Sequence, residues 1–308
     1  MRARVLSAGM LTTVQDLGRF GCAHLGMSPA GAADARSFRM ANLLVGNTEN
    51  EPALEMTLTG ATLEFENRAV VSLTGGSLVR KGSEPLPMWC ALEVPGGVAL
   101  ECGQILNGAR AYLAVQGGFN VPVQMHSAST HLASKVGGWQ GRALKSGDVL
   151  ECGASPHGSA RKLKPGFVEQ IKGAGPIRIT RGVQWEWFDN DAVARFLATE
   201  YAVLEQSNRA GLRLRGEAVR PGNQAELLTE GVPLGAVQIP PDGQPIILFV
   251  DQQTTGGYPK IANVIAADLH RVGQLRPRDS LRFELVSIQS AVQLWREQEK
   301  ALREVFSL

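Results

Sequence analysis

IILFVDQQTTGG, from Ile246 to Gly257, sets five apolar residues directly against seven polar or glycine residues. A run this short, closed by a glycine pair, reads as a buried strand ending in a turn. It is among the longest uninterrupted apolar runs in the chain and falls far below the ~20 residues of a membrane span. The first half holds a counterpart, VVSLTGG at Val70–Gly76. LTGATLEF (Leu58–Phe65) precedes it and GGVALECG (Gly96–Gly103) follows. In the second half PLGAVQI (Pro233–Ile239) and RDSLRFE (Arg278–Glu284) stand in the matching places. This weak half-repeat predicts two related β domains, their TGG loops at equivalent positions and a ligand cleft between them.

Other segments extend the pattern. Ala61–Glu66, Val98–Cys102, Ala111–Val115, Asp148–Cys152, Ile177–Thr180, Ala236–Ile239, Ile246–Val250 and Ser280–Val286 read as strands flanked by Gly, Pro, Asn or Asp. Helical spacing is confined to Asp34–Val45, Asp189–Thr199, Pro259–Val272 and Ser290–Phe306, the third opening on a proline suited to a first turn. Glycine, 35 of 308 residues, exceeds the usual ~7% and favours many tight turns. The fold class expected is mainly β with a few helices. Ser155–Pro176, rich in Gly, Pro and Lys, is the linker candidate. It divides the chain into an N-terminal β domain over 1–160 and a C-terminal β domain over 175–308 that ends in a helix.

Several functions are excluded or disfavoured. A formal net charge of +2 gives no electrostatic case for nucleic acid or an anionic membrane surface. The amino terminus, MRARVLSAGM, lacks the apolar core of a secretory signal, so a cytoplasmic location is expected. Cys22, Cys90, Cys102 and Cys152 show no metal-type spacing, and the five histidines are scattered, so no metal is expected. Neither a GxxxxGK[ST] phosphate loop nor a helix-opening GxGxxG occurs, and HExxH and GxSxG are missing too.

Two segments concentrate polar groups. In LTTVQDLGR (Leu11–Arg19), read as a loop lining the cleft, Thr12, Thr13, Gln15, Asp16 and Arg19 supply hydroxyl, amide, carboxylate and guanidinium groups within nine residues. They suit a carboxylate or amide substrate, with Arg19 as a bidentate grip and Asp16 as base or orienter. An Asp16–Arg19 pair that merely closes a turn is the plainer alternative. In the second segment, the Ile246–Val250 strand runs into Asp251, Gln252, Gln253, Thr254 and Thr255. Gly256 and Gly257 allow close backbone approach, and Tyr258 and Pro259 lead to Lys260 at the start of the predicted helix. Lys260 there suits a carboxylate, a phosphate or a developing oxyanion. A solvated turn with a surface lysine is the alternative. Weaker candidates are Arg209 after Ser207-Asn208, the hydroxyls Ser127, Ser129 and Thr130, the pair Trp185 and Trp187, and Cys22 near His24.

LTTVQDLGR together with GMSPAGAADARSFRMANLLVGN (Gly26–Asn47) resembles the start of the biotin-dependent carboxyltransferase-like family, which takes in second subunits once labelled allophanate hydrolase. The likeness continues through LEMTLTGATLEF, GARAYLAVQGGF, GRALKSGDVLECG, SNRAGLRL, LLTEGVPLGAVQIP and DQQTTGGYPKIANVIAADLHRVGQLRP, from about Val5 to about Val286. The resemblance implies two cyclophilin-like β-barrel domains. It also implies the C subunit of an ATP-dependent 5-oxoprolinase, acting with an A subunit plus a KipI-like B subunit to open the lactam of 5-oxoproline to glutamate. ATP would be used through the complex. On this expectation Asp16, Lys260 and Gln252 are catalytic, and Thr12, Thr13, Gln15, Arg19, Arg209, Thr254, Thr255, Gly256, Gly257 and Tyr258 bind substrate. Two alternatives accompany it. One is half of a biotin-dependent carboxyltransferase acting on an amide or urea-like substrate, its biotin carried on another chain. The other is a non-catalytic partner that antagonises a histidine-kinase inhibitor.

Overall fold

The structure, a computed structural model, describes residues 1–80, 84–153, 163, 166–168, 173–222 and 227–305. The predicted linker Ser155–Pro176 lies for the most part outside the described residues. The chain forms two compact units: Met1–Phe20, Ala30–Lys172 and Val305–Leu308 make the first, and Gly21–Pro29 with Gly173–Glu304 the second.

Unit 1 runs β1 (Arg2–Ser7), β2 (Leu11–Gln15), α1 (Ala35–Leu44), β3 (Ala53–Thr57), β4 (Thr62–Phe65), β5 (Ala69–Val79), β6 (Ala91–Val94), β7 (Ala99–Glu101), β8 (Gln104–Val115), β9 (Phe119–Asn120) and β10 (Val149–Cys152). They build two five-stranded antiparallel sheets, ordered β7-β4-β1-β10-β9 and β2-β3-β8-β5-β6. Inward residues of both sheets, Val5, Leu63 and Leu150 from one and Val14, Leu54 and Leu113 from the other, share one core, the arrangement in which each sheet hides its apolar face against its partner. Helix α1 starts where Asp34 caps it, accepting from Ser37 N at 2.9 Å and Ser37 Oγ at 2.6 Å. It is fastened to β5 by hydroxyls, Ser72 Oγ donating to Ala41 O and Thr74 Oγ1 to Ser37 O, each at 2.6 Å.

Unit 2 runs β11 (Ile177–Arg181), α2 (Asn190–Ala198), β12 (Tyr201–Val203), β13 (Gly211–Arg215), β14 (Glu230–Gly231), β15 (Ala236–Gln238), β16 (Ile246–Leu248), β17 (Thr255–Gly256), β18 (Lys260–Val264), α3 (Leu269–Gln274), β19 (Ser280–Leu281), β20 (Phe283–Leu285) and α4 (Ile288–Glu304). Eight strands form one sheet, ordered β19-β12-β13-β16-β15-β18-β11-β20. Its two edge strands, β19 and β20, are consecutive in the chain and separated only by Arg282. The sheet therefore curls until its edges meet, a barrel-like closure that leaves little open edge. Rings from its opposite sides confirm the curl: Tyr201 of β12 and Phe283 of β20 lie 5.7 Å apart, and Phe196 of α2 stacks on Phe283 at 4.8 Å. The chain is mainly β, as its glycine-bounded strands led one to expect. Among the described residues no helix is long and apolar enough to cross a membrane.

Three expectations are corrected. The first five residues of Leu11–Arg19 are not loop but strand β2, paired along its length with β3. The predicted helix Pro259–Val272 is strand β18 over Lys260–Val264, followed by a 3-10 turn at Ala266–Asp268 and then the short α3. β18 lies between β15 and β11 in the sheet, and its successive residues Lys260, Ile261 and Ala262, which point to alternate faces, are all buried, so its apolar spacing does not alternate. Pro259, immediately before it, is where a strand tolerates a missing N–H. The two TGG segments are not equivalent either. Gly75, with φ +88°, sits at a bulge inside β5 where an added Cβ would lie 2.5 Å from Arg110 O. Thr255–Gly256 instead forms a two-residue ladder with Glu230–Gly231.

Candidate functional site

In unit 1, β2 delivers Gln15 and Asp16 against the segment Ser127–Thr130. The Asp16 carboxylate accepts from Gly18 N at 2.8 Å, Ala128 N at 2.7 Å, Ser127 Oγ at 2.7 Å and Ser129 Oγ. Four donors use the lone-pair directions a carboxylate offers. Asp16 and Arg19 meet through Ser129, whose hydroxyl goes to Asp16 and whose carbonyl accepts from the Arg19 guanidinium. Gln15 Nε2 bonds Thr13 Oγ1 at 2.9 Å and Thr130 O at 3.2 Å. Thr12 points the other way, its hydroxyl donating to Ala8 O at 2.6 Å. Thr12, Thr13, Gln15, Asp16 and Arg19 are all buried. Gln15, Asp16 and Arg19, with Thr13 behind Gln15, act as a clamp on Ser127–Thr130, hydroxyls that sequence reasoning ranked low.

In unit 2 a ring of residues closes around Lys260. The β14–β17 ladder sets Glu230 opposite Gly256, and the β15–β18 pairing sets Gln238 opposite Lys260. Lys260 is 1% exposed, and its Nζ donates to Glu230 Oε1. Gln184 completes the ring, its Nε2 donating to Glu230 Oε1 at 2.7 Å and its Oε1 accepting from Lys260 N at 3.0 Å. Hydrogen bonds from Lys260, then from Gln184, hold the Glu230 carboxyl below the usual range. With no helix start at this point, no row of helical N–H groups stands beside Lys260; its anion is the partly exposed Glu230. Beside the ring, Gln252 Nε2 donates to Val232 O at 2.9 Å, and its buried Oε1 has no partner among the described residues. Thr254 O accepts from Val232 N at 3.1 Å. Thr255 and Gly257 are exposed. Arg209 forms a two-bond pair with Asp251, both at 2.9 Å and both side chains buried, so it braces the strand end before Gln252.

A pocket of about 190 Å³ opens beside this ring. Asn208, Arg213, Gln253 and Tyr258 supply polar groups to its wall, with Gln238 and Leu248 among the remaining lining residues. Gln238 is 1% exposed, and its Nε2 has no partner among the described residues. Gly256 makes room for that amide: a Cβ there would lie 2.6 Å from Gln238 Nε2. Sequence reasoning brought Gln252, Gly256, Tyr258 and Lys260 to one neighbourhood. It missed Gln184, Glu230, Gln238 and Arg213, which lie on other strands and turns. The available signal for two of them was Glu230 and Gln238, which with Thr229 are the polar residues of LLTEGVPLGAVQIP.

A mainly β chain with two units and polar rings at strand ends defines a class that comparison identifies. The chain belongs to the family described as carboxyltransferase domain, subdomain A and B, matched over residues 25–285. It is 39% identical over 299 residues to the C subunit of 5-oxoprolinase from Escherichia coli K12, spanning 96% of this chain and 95% of that one. It is 36% identical over 302 residues to the corresponding 5-oxoprolinase C subunit of Haemophilus influenzae, spanning 98% and 96%. Among solved structures, the K. lactis urea amidolyase superposes with a TM-score of 0.92 at 31% identity over 99% of this chain. The chain spans only 20% of that enzyme's length.

Proposed function

We propose that this chain is the C subunit of an ATP-dependent 5-oxoprolinase, which assembles with its A and B subunits to open the lactam of 5-oxoproline and release glutamate. One observation carries the reading: the likeness to the E. coli C subunit runs end to end in both chains, at 96% and 95% coverage. A cytoplasmic location goes with ATP use. ATP supplies the phosphoryl group that makes a lactam carbonyl reactive toward water. On this reading Lys260, seated between Glu230 and Gln184, stabilises negative charge on the lactam oxygen. Gln252 orients the attacking water or the amide through its Oε1. Thr254, Thr255, Gly256, Gly257 and Tyr258 shape the substrate's surroundings. Asp16 acts at one remove, as a positioning residue that holds Ser127–Thr130 with Gln15, Thr13 and Arg19, while Thr12 fastens β2 to Ala8 and Arg209 positions Asp251.

The test is ATP-dependent release of glutamate from 5-oxoproline by the three subunits together and with each omitted in turn. Activity that needs this chain is expected; none from a soluble, assembled complex overturns the reading. A Lys260→Ala complex that still assembles is expected to lose turnover by about 100-fold, the scale of one transition-state donor. Unchanged turnover would remove Lys260 from the chemistry.

The superposition on urea amidolyase favours a second reading, carboxyl transfer from biotin to a urea-like nitrogen. It requires a biotinylated carrier on another chain and predicts no activity without one.

A further inference from the structure

We infer that the unit 2 pocket beside Gln238 is a binding site for a small lactam acid, with Arg213 taking the carboxylate and the Gln238 carboxamide taking the lactam edge. The inference deepens the 5-oxoprolinase reading and rests on it for the ligand's identity. Three features of the pocket carry it.

Arg213 is exposed on β13 and lines the pocket, and its guanidinium has no hydrogen-bond or ion-pair partner among the described residues. A guanidinium in that state selects a carboxylate, which it meets with two parallel bonds. Urea carries no such group, so this wall distinguishes a lactam acid from a neutral urea.

Gln238 is the second feature. A buried amide nitrogen without a partner is costly unless something hydrogen-bonds to it. Among the described residues its Oε1 is held only by a long 3.5 Å contact from Gln253 Nε2. A lactam ring locks its amide cis, so N–H and C=O stand side by side on one edge. A primary carboxamide presents the same two groups in the reverse sense. Gln238 Nε2 can donate to the lactam oxygen while its Oε1 accepts the lactam N–H, a closed pair of bonds that an open-chain trans amide cannot make.

Third, the surroundings suit the rest of such a ligand. Leu248 and Ala210 give an apolar wall for ring methylenes, and Gly256, lacking a Cβ, keeps clear the space 2.6 Å from Gln238 Nε2. Lys260 lies opposite Gln238 in the ladder, which sets the ring of ionic groups next to the bound amide.

The experiment is calorimetric titration of the assembled complex, without ATP, with three probes: 5-oxoproline, 2-pyrrolidinone (the lactam without the acid) and cyclopentanecarboxylate (the acid without the amide). Arg213→Met is expected to weaken 5-oxoproline at least about tenfold, the effect of losing a charged hydrogen-bond partner, while leaving 2-pyrrolidinone unchanged. Gln238→Leu is expected to weaken 5-oxoproline and 2-pyrrolidinone and leave cyclopentanecarboxylate unchanged. Arg213 lies exposed on its strand, so its variant tests the site even where the buried Gln238 variant fails to fold. No binding of 5-oxoproline, or binding indifferent to Arg213→Met, overturns the inference. Glutamate release with an unchanged KM in Arg213→Met leaves the hydrolase reading standing and removes the pocket. Arg213-dependent binding by a complex that releases no glutamate with ATP supports the pocket and removes the hydrolase reading.

Discussion

Asp16 shows how burial decides what a side chain does. A carboxylate already accepting from two backbone N–H groups and two serine hydroxyls is a fastening for Ser127–Ser129. In Asp16→Asn one oxygen becomes an NH₂ that faces donors, a mismatch worth about 1–3 kcal/mol. Thermal melting should show that loss, and turnover by the assembled complex at a permissive temperature should survive. A loss of turnover with an unchanged melting temperature would make Asp16 a catalytic group instead. Gly256 tests the other unit at the same scale. Gly256→Ala places a methyl 2.6 Å from Gln238 Nε2, the movable end of a side chain. The amide can shift at little cost in stability but must leave its place over the pocket. A severalfold rise in KM for 5-oxoproline with a nearly unchanged melting temperature is expected, in line with the loss of one hydrogen bond.

Among elements, the turn after β18 is the most heavily charged joint. Asp268 is fully buried and accepts from Arg178 N at 2.8 Å, Arg178 Nε at 3.0 Å and Nη2 at 2.6 Å, and Arg271 Nη1 at 3.1 Å. It thereby ties β11 to the start of α3. Burial pushes its carboxyl up, but the Arg178 hydrogen bonds and the Arg271 charge outweigh that and leave it below its ordinary 3.8. A folded value under the unfolded one means the stabilisation is complete above the unfolded value and is lost as pH falls through the folded value. Asp268→Asn should therefore cost about 1–3 kcal/mol in urea unfolding at pH 7, the scale of losing charge-assisted hydrogen bonds to partly exposed arginines. The gap between variant and wild type should narrow as the pH drops below 3.8. A gap that stays constant with pH would contradict the assignment. The docking of α2 rests on one ring: Phe196, fully buried against Tyr201 and Phe283. Phe196→Ala should lower stability by about 3–5 kcal/mol, read by denaturant unfolding.

At the scale of the molecule, each unit hides the apolar faces of its strands in its own way. Unit 1 packs two five-stranded sheets face to face, and unit 2 curls eight strands until β19 and β20 adjoin. Both solutions need many short strands and tight turns, and the glycine content of the chain supplies the turns. A net charge of +2 leaves the surface without the strong positive field that nucleic acid requires. Accordingly, no retention on duplex DNA is expected at about 0.15 M salt, where non-specific binding depends on several phosphate contacts. Retention that weakens steeply with added salt would reveal a basic patch that the total charge conceals.

The sequence by itself determined whatever is local. Five-residue apolar runs bounded by glycine, aspartate caps at Asp34 and Asp189, and the long amphipathic stretch near the C-terminus each specify an element within one or two turns of chain. The motifs also carried the family, because they recur along most of the chain. Tertiary structure alone decided whether Lys260–Val264 is helix or strand. A segment buried on both faces has no period to read, and only pairing with β15 and β11 settles it. It alone decided the partners of the buried charges as well. Asp16 and Ser129 are 113 residues apart and Lys260 and Glu230 are 30 apart. Such pairs arise because a polar group leaving water must find a partner wherever the sheets bring one, and sequence distance does not enter that requirement.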